Sequence, residues 1–77
     1  MNNDKNLTID QTFNLAVQSH QDGKTDIAQE LYNKVLKNNP NHLGALNNIA
    51  IIFTNLKDYQ KAKNCYEKAI KINPSYT

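Results

Sequence analysis

Residues 43–76 read LGALNNIAIIFTNLKDYQKAKNCYEKAIKINPSY, and residues 9–42 read IDQTFNLAVQSHQDGKTDIAQELYNKVLKNNPNH. Set one above the other without a gap, they agree at eight of 34 positions: Asn14 with Asn48, Ala16 with Ala50, Ala28 with Ala62, Tyr32 with Tyr66, Lys34 with Lys68, Lys37 with Lys71, Asn39 with Asn73 and Pro40 with Pro74. Leu15 with Ile49, Val17 with Ile51 and Leu36 with Ile70 are conservative matches. Agreement at a fixed period of this length marks an internal duplication.

Each copy reads as two helices. In the second, Leu46, Ile49, Ala50 and Phe53 fall on one helical face, and Tyr59, Ala62, Tyr66, Ala69 and Ile70 repeat the pattern. Leu56-Lys57-Asp58 separates them, with Asp58 placed to cap the second helix. In the first copy, Leu15 and Ala16 mark one helix and Ala28, Leu31, Tyr32, Val35 and Leu36 the next. Gly23 in the turn Asp22-Gly23-Lys24 can take the positive φ of a helix C-terminus. Asn38-Asn39-Pro40-Asn41 ends the second helix, because the residue before a proline is pushed out of helical geometry. Asn41 is then the expected cap of the third. The spacing predicts helices over 9–21, 25–38, 43–56 and 59–72. The fold class is all-α: two helix-turn-helix units, four antiparallel helices. Ala16, Ala28, Ala50, Ala62 and Ala69 suit helix crossings, where small side chains allow close approach. Tyr32 and Tyr66 are larger knobs whose hydroxyls are expected to reach water or a backbone carbonyl.

The chain has 77 residues, which bounds it to one small domain. A chain of this size buries only about 60% of its unfolded surface, and it is too short for a barrel, a doubly wound sheet or a two-domain enzyme. A single cysteine, Cys65, excludes an intrachain disulfide and an all-cysteine zinc site. No apolar run is long enough to span a membrane, and Met1-Asn2-Asn3-Asp4-Lys5-Asn6 lacks the apolar core of a secretory signal, so the expected compartment is cytoplasmic. All nine basic residues are lysines, scattered against seven acidic residues for a net charge of +2. That pattern reads as a solvated helix surface and argues against nucleic-acid binding, which favours clustered lysine and arginine. The thirteen asparagines are dispersed and form no low-complexity segment.

The joint spacing of Leu15-Ala16, Ile49-Ala50, Phe53, Tyr59, Ala62, Tyr66, Ala69 and Pro74 resembles the tetratricopeptide repeat, a 34-residue helix–turn–helix unit. The second copy follows the family pattern nearly throughout. The first departs from it: Thr12, Ser19 and Thr25 stand where large apolar or aromatic residues are usual, and Val35 stands where a small one is. The resemblance implies a short right-handed α-solenoid with a divergent, capping-like first repeat at 9–42 and a second at 43–76. Residues 1–8 are a polar lead expected to be disordered. Residues 75–77 read as the start of a third repeat, with Ser75 in the place of Asn41.

The resemblance also implies a site. The first helix of each repeat lines a concave groove that takes an extended peptide or a partner helix. Its residues would be Asp10, Phe13, Asn14, Val17 and His20 from the first helix, and Asn47, Asn48, Ile51, Thr54 and Asn55 from the third. Asn14 and Asn48 occupy matching places, as in the asparagine ladder of O-linked N-acetylglucosamine transferases, and their amides can bond a peptide backbone. A carboxylate clamp of the co-chaperone kind does not fit. Phe13 and Val17 stand in the places of its lysine and asparagine, and only Asn48 matches.

No catalytic or metal-binding pattern accompanies this. His20, His42 and Cys65 have no ligand spacing around them, Asp22 and Asp26 read as turn and helix-start residues, and there is no phosphate loop or nucleophile elbow. No metal or cofactor is expected. The reading is a non-catalytic protein-interaction module for a protein or peptide partner. The alternative is the N-terminal, substrate-presenting repeat region of a larger enzyme, such as a bacterial glycosyltransferase or sulfotransferase. Self-association through the uncovered last helix is a further expectation, since Tyr66, Ile70 and Ile72 would lie partly exposed.

Overall fold

Thr8 starts the first helix. Its hydroxyl accepts the Gln11 amide at 3.0 Å, and the Gln11 side chain accepts the Thr8 amide at 2.9 Å. This reciprocal pair satisfies two backbone donors that the helix itself leaves free. The computed structural model describes residues 7–75. Most of the expected polar lead therefore lies outside the described residues, while Thr8 belongs to the first helix as its cap. Four helices follow: α1 (Ile9–Gln21), α2 (Thr25–Asn38), α3 (Leu43–Asn55) and α4 (Tyr59–Ile72). Among the described residues there is no strand. Helices pack in succession, α1 on α2, α2 on α3 and α3 on α4. The result is an all-α helical repeat in which α2 and α3 join the two hairpins.

Both hairpin turns are the same motif. After α1, Gly23 donates to the His20 carbonyl and Lys24 to that of Ser19. After α3, Lys57 donates to Thr54 and Asp58 to Phe53. These paired bonds close a helix end with one residue in the left-handed region. Gly23 takes φ +80° there as expected, but Lys57 takes φ +65° without glycine's freedom. Its Cβ crowds the following carbonyl. α4 then begins at Asp58, whose carboxylate accepts the Lys61 amide at 3.4 Å.

The link between repeats is also used twice. The Asn39 side chain accepts the Asn41 amide at 3.2 Å, and the Asn73 side chain accepts the Ser75 amide at the same distance. Asn41 does not cap α3. His42 does, its Nδ1 accepting the Ala45 amide at 3.0 Å. Asn41 stands one residue too early and is held by the turn.

The core follows from α3 having neighbours on two sides. Ala45, Leu46, Ile49, Ala50 and Ile52 are all buried, so α3 buries the widest apolar face of the four helices. The other helices bury narrower stripes: Ala16 on α1, Ala28, Tyr32 and Val35 on α2, Ala62 and Ala69 on α4. All five alanines expected at crossings are buried. Leu15, which with Ala16 marks α1 in the sequence, is 44% exposed. It has the place of Ile49, but among the described residues α1 packs mainly on α2, whereas α3 packs on both α2 and α4. The charged residues add little. The pairs Lys61–Asp58 at 3.7 Å and Lys63–Glu67 at 4.0 Å are exposed, and such pairs are worth at most about 1 kcal/mol.

Tyr32 and Tyr66 occupy equivalent places with opposite outcomes. Tyr32 is fully buried, while Tyr66 is 37% exposed. Water or a backbone carbonyl is the expected partner of the Tyr32 hydroxyl, but the bond it forms is to a side chain. It accepts the Asn48 side-chain amide at 3.2 Å, across the joint between repeats. Phe13 packs tilted against Tyr32 at 5.9 Å and against His42 at 4.7 Å. Gly44 leaves room for it: a Cβ there would come within 2.9 Å of the Phe13 ring.

Three expectations test this account. Lys57→Gly should raise stability by about 1 kcal/mol and Gly23→Ala lower it by a similar amount, since no atom crowds position 23 and the cost is backbone strain alone. Gly44→Val should cost about 1–3 kcal/mol in urea unfolding by displacing Phe13. Tyr32→Ala should cost about 3–5 kcal/mol, the whole stability of many chains this small, while Tyr32→Phe should cost only about 1 kcal/mol. Burial raises the Tyr32 phenol above its ordinary value, with the Asn48 bond opposing more weakly. The stability of the neutral phenol is complete below the unfolded value of about 10 and is lost as pH rises through the higher folded one. An alkaline titration of Tyr32→Phe should lack that part of the loss; an unchanged profile would remove Tyr32 from the cause.

Candidate functional site

α1 and α3 are the helices least like a typical protein surface. Between Ile9 and Gln21 the only charged side chain is Asp10, with His20 near the end. Between Leu43 and Asn55 there is none. The lysines of the described residues lie on α2, on α4 and in the two hairpin turns: Lys34 and Lys37; Lys61, Lys63, Lys68 and Lys71; Lys24 and Lys57. Charge is therefore segregated by helix, and the first helix of each repeat presents amides, hydroxyls and apolar groups.

Helical spacing places Asp10, Phe13, Asn14, Val17 and His20 on one face of α1, and Asn47, Asn48, Ile51, Thr54 and Asn55 on one face of α3. Asp10, Asn14, Ile51, Thr54 and Asn55 are exposed, and Phe13, Val17, His20, Asn47 and Asn48 are half-buried. Ile51 is unusual, a large aliphatic side chain left open amid amides. Three of the expected groove residues already have internal work. Phe13 joins the repeats through Tyr32 and His42. Asn48 spends one amide hydrogen on Tyr32 and keeps its carbonyl and second hydrogen. Thr54 donates its hydroxyl to the Ala50 carbonyl at 2.9 Å. Asn14 and Asn47 form no side-chain hydrogen bond among the described residues. The two asparagines of the expected ladder thus differ: one is anchored at the joint, and one is free.

Sequence reasoning did not include His42 and Gly44 in this region. They border it because Phe13 reaches across to them. The signal for Gly44 was a glycine inside an apolar helical stretch, which points to close packing.

Elsewhere the chemistry is sparse. Among the described residues no group of three His, Cys, Asp or Glu side chains comes together. Burial pushes the Cys65 thiol up, against a smaller opposing pull from Lys68, so its nucleophilic thiolate is disfavoured. A shallow depression at the first hairpin is lined by five consecutive residues, Gly23 to Ile27, and does not touch the α3 face. No described helix is long and apolar enough to cross a membrane.

Comparison with known proteins agrees with this geometry. The tetratricopeptide repeat family matches residues 13–42 and again residues 44–76. The chain is 37% identical over 71 residues to the uncharacterized protein ycf37 of Pyropia yezoensis, which covers 91% of this chain and 40% of that relative. The chain thus spans less than half the length of the curated relative it matches. No solved structure matches it significantly. With two adjoining family matches over successive helix hairpins, the chain belongs to the tetratricopeptide repeat family, whose repeats serve as protein–protein interaction modules.

Proposed function

We propose that the α1–α3 face is a groove that holds a protein partner as an extended peptide or a helix, with units at residues 9–42 and 43–76. The observation that supports this reading is the segregation of charge. All described lysines stand off these two helices, which expose Asn14, Asn55 and Ile51 beside half-buried Val17 and Asn47. Free amides suit a peptide backbone, which offers a donor and an acceptor at every residue. Ile51 and Val17 suit apolar side chains alternating with those backbone bonds. A terminal carboxylate would find no cation on the face and would meet Asp10. The module acts by binding and positioning, not by chemistry of its own.

A second reading keeps the same face but places it in a larger enzyme, where it would present substrate. The turn at Asn73-Pro74-Ser75 favours it. Its hydrogen bond copies that of the turn that leads into α3. A catalytic domain continuous with this chain in the gene would select this reading.

The groove is tested by titrating isotope-labelled chain with a library of uncharged and acidic-tailed peptides. Uncharged amphipathic peptides should perturb the amides of Asn14, Val17, Asn47 and Ile51. Ile51→Lys should abolish binding with helicity unchanged, and Asn14→Ala should weaken it about fivefold, as for one net hydrogen bond. Affinity should change little between low and high salt, because no ion pair is formed. Preference for the acidic-tailed peptides, or a steep salt dependence, would defeat the groove as described.

A further inference from the structure

The charge that the groove helices lack is gathered on the others, and unevenly. Residues 9–42 hold three lysines against four acids, and residues 43–75 hold five lysines against two. Both of those acids are already engaged, Asp58 with Lys61 and Glu67 with Lys63. Among the described residues Lys57, Lys68 and Lys71 form no ion pair, nor do Lys34 and Lys37. On α4, Lys61, Asn64, Lys68 and Lys71 stand at i, i+3, i+7 and i+10, which is one helical face, and all four are exposed. Lys34 and Lys37 hold the places of Lys68 and Lys71 on α2, so the basic strip has a counterpart there. Ile27 and Glu30 stand in the places of Lys61 and Asn64.

The strip works against the fold. Lys68 and Lys71 are neighbours on the helix surface, as are Lys34 and Lys37, and like charges so placed repel. A last-turn lysine gains from the helix dipole, which accounts for Lys37 and Lys71 but not for Lys34 or Lys68. Lys57, in the turn that leads into α4, holds φ +65° where the first repeat has glycine. A lysine kept in a strained place at the head of a lysine-bearing helix points to a use for its charge. The strip has no aromatic side chain on which a base would stack, and no arginine to grip a phosphate at two points. Its single large apolar member, Ile27, is too little to hold it in a bilayer. A run of carboxylates suits it better. Lys61 and Lys71 lie about 15 Å apart along α4, and about five residues of extended chain cover that length.

We propose that the lysine strip of α4, with Lys34 and Lys37 of α2 as its extension, docks a short carboxylate-rich segment of a protein partner. The segment lies extended along α4, its carboxylates paired with Lys61, Lys68 and Lys71. Binding there is electrostatic and weakens with salt, unlike binding at the groove. The strip belongs to the second helix of each repeat, so it does not overlap the α1–α3 face.

The probe is an end-blocked octapeptide of alternating glutamate and aspartate, titrated into isotope-labelled full chain at low salt. It should give saturable shifts between Lys61 and Lys71 and at Lys34 and Lys37. The amides of Asn14, Val17, Asn47 and Ile51 should stay in place, so this test and that of the groove are scored on different residues. Lys68→Gln and Lys71→Gln should each weaken binding about two- to fivefold, as for one exposed ion pair. Lys68→Glu combined with Lys71→Glu should abolish it. A rise in salt from about 50 to about 500 mM should weaken binding about tenfold or more. Lys57→Gly should weaken it about twofold while stabilising the fold, two effects of opposite sign that a purely structural lysine would not give. All these sites are exposed, so helicity by circular dichroism should be unchanged. The proposal is overturned if no shift saturates, if the shifts fall on α1 and α3, or if an octapeptide of glutamine and asparagine binds as well. It is also overturned if a uridine oligonucleotide or phosphatidylserine vesicles bind the strip more tightly than the acidic peptide, for then a nucleic acid or a lipid surface is the occupant.

Discussion

The two hairpins meet through Tyr32, which α2 buries completely under α3 while Asn48 bonds its hydroxyl. Each hairpin by itself offers little to bury. The buried alanines of its two helices permit close approach but themselves remove little apolar surface from water. Large buried side chains are concentrated where the hairpins join: Tyr32, Val35, Ile49 and Ile52 are the largest that are fully buried. Burying such a side chain contributes about 1.5–3 kcal/mol. In a stacked architecture, stability is a sum of weak units and the interfaces between them. With two units there is a single such interface, and the fold needs that joint as well as its hairpins. Phe13 and Gly44 extend the joint from α2 to α1, and the ring closes over the start of α3.

The same constraint sets the surface. α3 is covered by a helix on each side and therefore buries more of its residues than any other helix. Its remaining strip carries no charge, and the matching strip of α1 carries only Asp10. Lysines collect on α2, α4 and the turns, where side chains reach water freely. That nearly uncharged strip is the surface proposed above to hold an amide-rich, apolar partner. On the proposed reading, fold and binding face share one cause.

The 34-residue period made most of the architecture legible. Helix bounds from spacing agree with the structure except that α3 ends at Asn55. Gly23 and Asp58 announced their roles by residue type. Other features carried weaker signals. The Thr8–Gln11 box was visible as a spacing but sat inside a stretch otherwise read as a polar lead. His42 capping α3 was not legible, because histidine is no usual cap and Asn41 stood next to it as a better candidate by type. Lys57 at positive φ has no sequence signal of its own; only its register with Gly23 betrays it. For the candidate groove, spacing fixed which residues share a face. It did not show that Phe13 and Asn48 are partly committed to the joint, because periodicity on one helix does not report what a neighbouring helix takes.

Leu15 and Ile49 show why this limit is general in repeats. Both hold the same register, yet Ile49 is buried and Leu15 is open. Tyr32 and Tyr66 differ in the same way. Identity between repeats records a shared local geometry, and position in the stack decides what that geometry touches. The informative places are then those where the copies disagree. Ala45 and Ile52 face a helix, and the same places on α1 are Gln11 and Gln18, which face water. At Lys57, by contrast, the copies differ in residue while the backbone repeats, and the difference appears as strain. Read this way, the differences between two copies of one motif separate a covered side from an open one, which the shared residues cannot do.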